Sequence, residues 1–331
     1  MKFAEFPDYP LKVSKICLGT MMFGEKCNYS LSETIIHKAI DLGVNFFDTA
    51  AMYSGGETEK FLGKALKGVP RNNLFIGTKV FKGIDRISIL QSIDESLSRL
   101  QMDYVDLYMI HWPIVGMNLT EMMGALNEVV QSGKTRMVGC CNFPGYLLSS
   151  SNAIAAENGW AKLVCNQVAY NLFERGVEVE ILPQAILDRI AVTAYRPLAV
   201  GLLSGKFRPG MEMDSTTRGA SDSRVITWLA QHGAEIERFL CLAEDKNLQP
   251  AQLAVAWVSH SAAVTAAIVG VSSVSQLESS VMAADVQLTE ADYQTITAMF
   301  HTEVLEEGLQ LFPGLKYNFP RIRRNLSVAH K

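Results

Sequence analysis

Residues 43–66 read GVNFFDTAAMYSGGETEKFLGKAL. The stretch opens on a short apolar run from Asn45 to Ala50, crosses a loop with two adjacent glycines, and continues into a segment whose apolar residues return at helical spacing. Phe46 and Phe47 are consecutive rather than alternate, which suits a strand covered on both faces. Strand, loop and helix make one βα unit, and the fold depends on how often that unit repeats.

It repeats from one end of the chain to the other. Strands are predicted at 15–19, 45–50, 74–80, 105–112, 135–142, 163–170, 190–198 and 265–271, with helices between the early ones at 32–42, 57–66, 88–100 and 120–131. Ile89, Ile93, Leu97 and Leu100, for example, lie along one helical stripe. Ser30 and Ser32 are expected to cap the first helix, and Gly43 to follow its last turn where positive φ is needed. Eight such units predict a (β/α)8 TIM barrel, an α/β fold, in one domain over residues 1–331, because no break in composition marks a second. Residues 3–6 and 11–13 are placed to form an N-terminal β-hairpin across the bottom. Residues 201–223, rich in Gly, Ser and Thr, form a long loop of the kind that is usually functional. The tail after about 301 is given no element.

The 331 residues are 48% hydrophobic and 19% charged with a formal net charge of −4, so a large core can be buried and the charge balance argues against nucleic acid as the main partner. The opening MKFAEFPDYP lacks the apolar core of a signal peptide, which predicts a cytoplasmic protein. The most apolar stretch, 251–271, is broken by Gln252, Ser259, His260, Ser261 and Thr265, and so reads as a buried helix and strand rather than a membrane span. No C-x-x-C pair occurs among the 6 Cys. Cys140 and Cys141 are adjacent and point to opposite faces of a strand, so free thiols and no metal site are expected. There is no G-x-G-x-x-G, and Gly24 is followed by Glu25 and Lys26 rather than by a P-loop lysine and serine.

A barrel converges the C-terminal ends of its strands on one site. Four polar residues fall there: Asp48, Tyr53 in the loop just after it, Lys79 and His111. Reducing a carbonyl requires a proton donor beside the forming alkoxide, and a tyrosine is a weak acid until its anion is stabilised. Lys79 can supply a cation that lowers the Tyr53 pKa, Asp48 can keep that lysine charged, and His111 can orient the carbonyl oxygen.

With these residues in place the chain resembles an aldo-keto reductase along nearly its whole length. The stretch 43–66 is similar to that family's first signature, and KICLGTMMFG, YVDLYMIHWP, GCCNF, AYRPLAVGLLSGK and IVGVSSVSQLESSV match further landmarks in order. The resemblance implies NAD(P)H-dependent reduction of an aldehyde or ketone, reversibly, with Tyr53 as proton donor, Lys79 and Asp48 as its tuning pair, and His111 orienting the carbonyl. It implies NADPH/NADP+ as cofactor, with NADH possible, its carboxamide on Asn142 and Gln167 and its ring on Tyr195. Ser204 and Lys206 are then near the pyrophosphate. Further cofactor contacts are implied at Thr20, Met21 and Asp48, at Cys141, at Pro197 and Leu198, and at Gly270, Ser272 and Gln276. Two positions depart from the family pattern: Cys141 stands where a serine is usual, and Gln276 where many members carry a basic residue for the 2′-phosphate.

Met22, Phe81, Trp112 and Phe143, with Tyr146, are placed to line a substrate pocket, and Phe312, Tyr317 and Phe319 of the tail to cap it. The expected partner is a small-molecule carbonyl compound, with no nucleic acid and no membrane. Two other readings stand beside reduction: a cofactor-binding, redox-sensing regulatory subunit, and a Schiff-base lyase using Lys79 as the nucleophile.

Overall fold

The computed structural model describes residues 1–300 except Asp8, Lys82 and 214–216. The tail beyond Phe300, with Phe312, Tyr317 and Phe319, lies outside the described residues. Strands β1 (Phe3–Phe6) and β2 (Tyr9–Ser14) pair antiparallel as the expected hairpin. Eight parallel strands then close into a barrel: β3 (Ile16–Gly19), β4 (Phe46–Asp48), β5 (Phe75–Val80), β6 (Val105–Ile110), β7 (Thr135–Cys141), β8 (Leu163–Ala169), β9 (Ala191–Tyr195) and β10 (Val264–Gly270), with β10 returning beside β3.

Most strands end one to three residues sooner than the apolar runs suggest, because the chain leaves the sheet to build the site. Asn142 follows β7 at φ 57° and Arg196 follows β9 at φ 59°. The first helix, Tyr29–Asp41, is capped by Asn28, whose Oδ1 accepts from the Leu31 N–H at 3.0 Å. Ser30 and Ser32 therefore lie inside the helix instead of capping it, and the Ser32 hydroxyl donates back to the Asn28 carbonyl. Gly43 does follow the helix, at φ 83°. The apolar stretch 251–271 is the helix Pro250–His260 followed by β10. No helix among the described residues is long and apolar enough to cross a membrane.

Strand periodicity divides the core into two layers. Cys17, Phe46, Phe75, Leu107, Met109, Cys141, Cys165 and Ile268 pack inside the barrel with Phe6 and Val13 of the hairpin. Phe47, Ile76, Tyr108, Ile110, Cys140 and Val192 face the surrounding helices. One helix comes unusually close: a Cβ on Gly63 would collide with the Leu100 carbonyl where helices Glu57–Ala65 and Arg86–Leu100 meet. From the first of these helices the buried Glu59 accepts from the Thr78 hydroxyl at 2.6 Å and from Arg99 Nε at 2.7 Å. Thr78 faces outward, so the next residue, Lys79, faces in.

The hairpin is tied to the barrel bottom by a buried carboxylate. Asp106 on β6 accepts from the Tyr9 hydroxyl at 2.6 Å, from Arg71 Nη2 at 2.6 Å and from the Ile76 N–H at 2.8 Å. Replacing it leaves the buried Ile76 N–H without its acceptor and the partly buried Arg71 guanidinium with only the Leu74 and Tyr104 carbonyls. Asp106→Ala is expected to lower the unfolding free energy by about 3 kcal/mol, measured by urea denaturation; a loss within experimental error removes this anchor from the account.

Candidate active site

Counting in twos along each strand brings the same few side chains to the top of the barrel interior. Asp48 is two residues beyond Phe46, Lys79 four beyond Phe75, His111 two beyond Met109, and Gln167 two beyond Cys165, all from inward-facing starts. Lys79 is fully buried and its Nζ donates to Asp48 Oδ1 at 2.8 Å, Asp48 Oδ2 at 2.7 Å and the Thr49 carbonyl at 2.8 Å. The ammonium thus has three acceptors besides Tyr53, whose phenol it also reaches by a hydrogen bond. Burial works to lower the Lys79 pKa, but Asp48 and then Tyr53 more than offset it, so the lysine is held charged above its ordinary value.

Tyr53 stands over this pair in the turn Tyr53–Gly56, with Lys79 Nζ 5.2 Å from its ring centroid. The turn is strained, since Ser54 sits at φ 47°, and it is pinned to the loop after β3. Both the Ser54 and Thr58 hydroxyls donate to the Phe23 carbonyl, at 3.0 and 2.7 Å. Burial pushes the Tyr53 phenol up to about 12, while the Lys79 ammonium pulls the other way. The lysine therefore acts in the expected direction without winning. In the protein alone the phenol is a weaker acid than free tyrosine, which corrects the expectation of a net lowering.

The His111 ring is 5.9 Å from that of Tyr53 and 4.4 Å from that of Trp112, centroid to centroid. Burial, helped by the Lys79 charge, drives His111 down to about 2, so the imidazole is neutral throughout the physiological range. Its Nδ1 is buried with no hydrogen-bond partner among the described residues.

The residues implied for a cofactor come to the same end of the barrel, several with their polar atoms engaged. Gln167 Nε2 donates to Asp48 Oδ1 at 2.8 Å, and the Tyr195 hydroxyl donates to Asn142 Oδ1 at 2.9 Å. The Arg196 guanidinium lies 4.9 Å from the Tyr195 ring centroid. Thr20 is buried, its hydroxyl given to the Asp48 carbonyl at 3.0 Å. The Cys141 thiol is buried and pushed well above its ordinary pKa by that burial, against the pull of Lys79. Ser204 donates to the Gly201 carbonyl at 2.6 Å, and Lys206 Nζ lies 5.1 Å from the Phe207 ring centroid. Ala199 and Val200, in the turn with Pro197 and Leu198, take φ 47° and 59°, values that are strained for a β-branched valine. Gly270 is exposed at the end of β10 without positive φ, and a Cβ there would meet nothing within 4 Å. At the helix Val274–Met282, Gln276 Oε1 already accepts from the Ser272 N–H at 2.8 Å and Ser273 caps the Gln276 N–H.

Of the predicted pocket residues, Phe81 and Trp112 have ring centroids 6.5 Å apart and Met22 is almost buried; Met21, implied as a cofactor contact, is half-buried beside it. Phe143 differs. It is fully buried in the layer between strands and helices, because Asn166 bonds both its N–H and its carbonyl and turns the chain outward there. Tyr146 is exposed at the start of the helix Gly145–Asn158. Sequence reasoning missed Thr49, whose contribution is a backbone carbonyl that no residue type reveals. It also passed over Arg196, for which the only signal was a charge beside Tyr195.

The comparisons with known proteins agree with this fold. The Aldo/keto reductase family matches residues 15–300. An uncharacterized oxidoreductase, YrpG of Bacillus subtilis, is 32% identical over 92% of this chain and 94% of its own. The versiconal hemiacetal acetate reductase of Aspergillus parasiticus is 30% identical over 93% of this chain and 99% of its own. Among solved structures, a thermostable aldo-keto reductase, Tm1743, crystallised with the inhibitor epalrestat, superposes with a TM-score of 0.76 at 27% identity, covering 90% of this chain and 100% of that one. On its sequence, its closed barrel and the match of nearly its whole described length, the chain belongs to the aldo/keto reductase family of oxidoreductases.

Proposed function

We propose that the protein reduces an aldehyde or ketone to the alcohol, reversibly, with Tyr53 as proton donor and a nicotinamide dinucleotide as reductant. The observation that carries this reading is the sealed Asp48–Lys79 pair under Tyr53, beside a neutral His111. A reduced nicotinamide, when bound, supplies the hydride. Tyr53 Oη keeps its proton at neutral pH and releases it to an oxygen on which negative charge is developing. The Lys79 ammonium then steadies the phenolate left behind. A neutral His111 can donate one hydrogen bond to that oxygen without competing for its proton.

The chain has features that fit a dinucleotide. The strained Ala199–Val200 turn and the left-handed Asn142 lie at the same end of the barrel as the open space over Gly270. Asn142, Gln167 and Cys141 would seat the carboxamide, Tyr195 the ring, and Ser204 and Lys206 the pyrophosphate. Thr20, Met21, Pro197 and Leu198 would flank these groups. Gly270, Ser272 and Gln276 would meet the far nucleotide. With no basic side chain at Gln276 and two of the nearby N–H groups already bonded, NADPH is expected to bind more tightly than NADH by only about tenfold. Gln276→Arg should widen that gap in a fluorescence titration; an unchanged ratio would take Gln276 away from the phosphate.

The lyase reading loses its nucleophile, since a protonated Lys79 with three acceptors has no lone pair to attack a carbonyl. A regulatory subunit would not need the complete tetrad. Beside His111 stand the apolar rings of Trp112 and the exposed Phe81, which favours aromatic or bulky apolar carbonyl compounds over sugars. A panel of aryl aldehydes, ketones and aldoses, followed by NADPH and NADH absorbance, tests both points. No oxidation of either cofactor with any member sinks the reading.

A further inference from the structure

The helix Ile181–Asp188 is apolar on more sides than the barrel uses. Leu182 and Ala185 are buried, yet Ile186 and Leu187 are exposed, Leu187 at 82%, more than any other large apolar side chain among the described residues. A helix apolar all round is normally covered all round. The helix Gly145–Asn158 adjoins it closely. Gln184 is bonded to the Gly145 carbonyl and the Ser149 hydroxyl, and a Cβ on Gly145 would collide with Gln184 and Glu180. The exposed Tyr146 and Val179 thereby extend the same face.

Charge is scarce on this face. In their 14 and 8 residues the two helices hold only Glu157 and Asp188, whereas the helix Gly233–Asp245 holds five charged residues in 13. Charge depletion around an aromatic and apolar centre is the composition of a subunit contact. Two charges flank the centre. Glu180 precedes the helix Ile181–Asp188 and Arg189 follows it, both exposed, and neither has an ionic partner among the described residues. The helix holds them ~14 Å apart, too far to pair with each other.

We propose that this face is the contact between two copies of the chain, related by a two-fold axis that crosses Ile181–Asp188 near its middle and sets the two helices antiparallel. Ile186 and Leu187 of each copy are then covered by the other. Glu180 of one copy meets Arg189 of the other, and symmetry forms the same pair a second time. The antiparallel helix dipoles add to the fit. The inference is independent of the carbonyl and cofactor readings, and none of these residues belongs to the tetrad.

Sedimentation equilibrium of the full chain tests it, with far-UV circular dichroism to check that each variant is folded. The wild type is expected at twice the mass of the chain. Leu187→Glu should raise the dissociation constant about 30-fold or more, the scale of a central interface residue. Glu180→Arg and Arg189→Glu should each weaken the dimer by at least about tenfold, because like charges then meet at both contacts. An equimolar mixture of those two variants should recover the wild-type affinity, since opposite charges meet again at both contacts. Should Leu187→Glu not fold, the two charge variants carry the test. A wild type that stays monomeric up to its solubility limit overturns the proposal, whether the face is left open or is covered by residues 301–331 or by another protein. So does a dimer that Leu187→Glu leaves intact, or a mixture that associates no more tightly than its components.

Discussion

Tyr53→Phe is expected to lower kcat for carbonyl reduction by about 10² or more while leaving the dissociation constant for NADPH nearly unchanged. The phenyl ring can keep its place against His111, whose centroid lies 5.9 Å away, so the loss isolates the hydroxyl and its proton. The size follows from the environment. In a site that pushes the phenol up to about 12, a proton is held firmly until charge appears on the substrate oxygen, and no solvent donor is as well placed. His111, driven down to about 2, is neutral at neutral pH, and its one remaining N–H is too weak an acid to replace the phenol. Stopped-flow measurement with saturating NADPH separates the chemical step from binding. Near-normal turnover by the variant would remove Tyr53 from the mechanism.

Lys79→Met is expected to damage both activity and stability. The lysine is the one influence named above that pulls the Tyr53 pKa down; without it Asp48 and burial act unopposed. For alcohol oxidation, which needs the phenolate, the rising limb of the pH–rate profile should therefore move to higher pH. Reductive kcat should fall by roughly 10²–10³, the scale of a lost preorganised charge. The stability effect has the same origin. Asp48 is left buried with the Gln167 donor but no cation, at a cost of about 3–5 kcal/mol. Lys79→Met with Asp48→Asn removes the uncompensated charge and should recover most of that stability but not the activity. Urea denaturation and pH–rate profiles of the single and double variants check the two halves separately. A single variant as stable as the wild type, or an unmoved limb, refutes the corresponding half.

The number and order of the βα units could be read from the sequence because each is encoded locally. The run around Phe46 and Phe47, the helical stripe of Ile89, Ile93 and Leu97, and Gly43 after the first helix need no distant partner to be recognised. The same holds for the chemistry-bearing types at the strand ends, Asp48, Lys79 and His111, whose inward direction follows from counting in twos. What depended on closing the ring was not legible. Asn28, not Ser30 or Ser32, caps the first helix, because the helix starts earlier than its apolar stripe. Phe143 turns outward because Asn166, on the next strand, holds its backbone. The net rise of the Tyr53 pKa is a contest between burial and one cation, and depth of burial is a property of the whole assembly. The linkage of Gln167 to Asp48 spans 119 residues and exists only once β4 and β8 face each other across the barrel interior. Local periodicity therefore specified the scaffold and the residue types at its mouth, while burial and hydrogen-bond partners, which depend on side chains far apart in the chain, were decided by the tertiary structure.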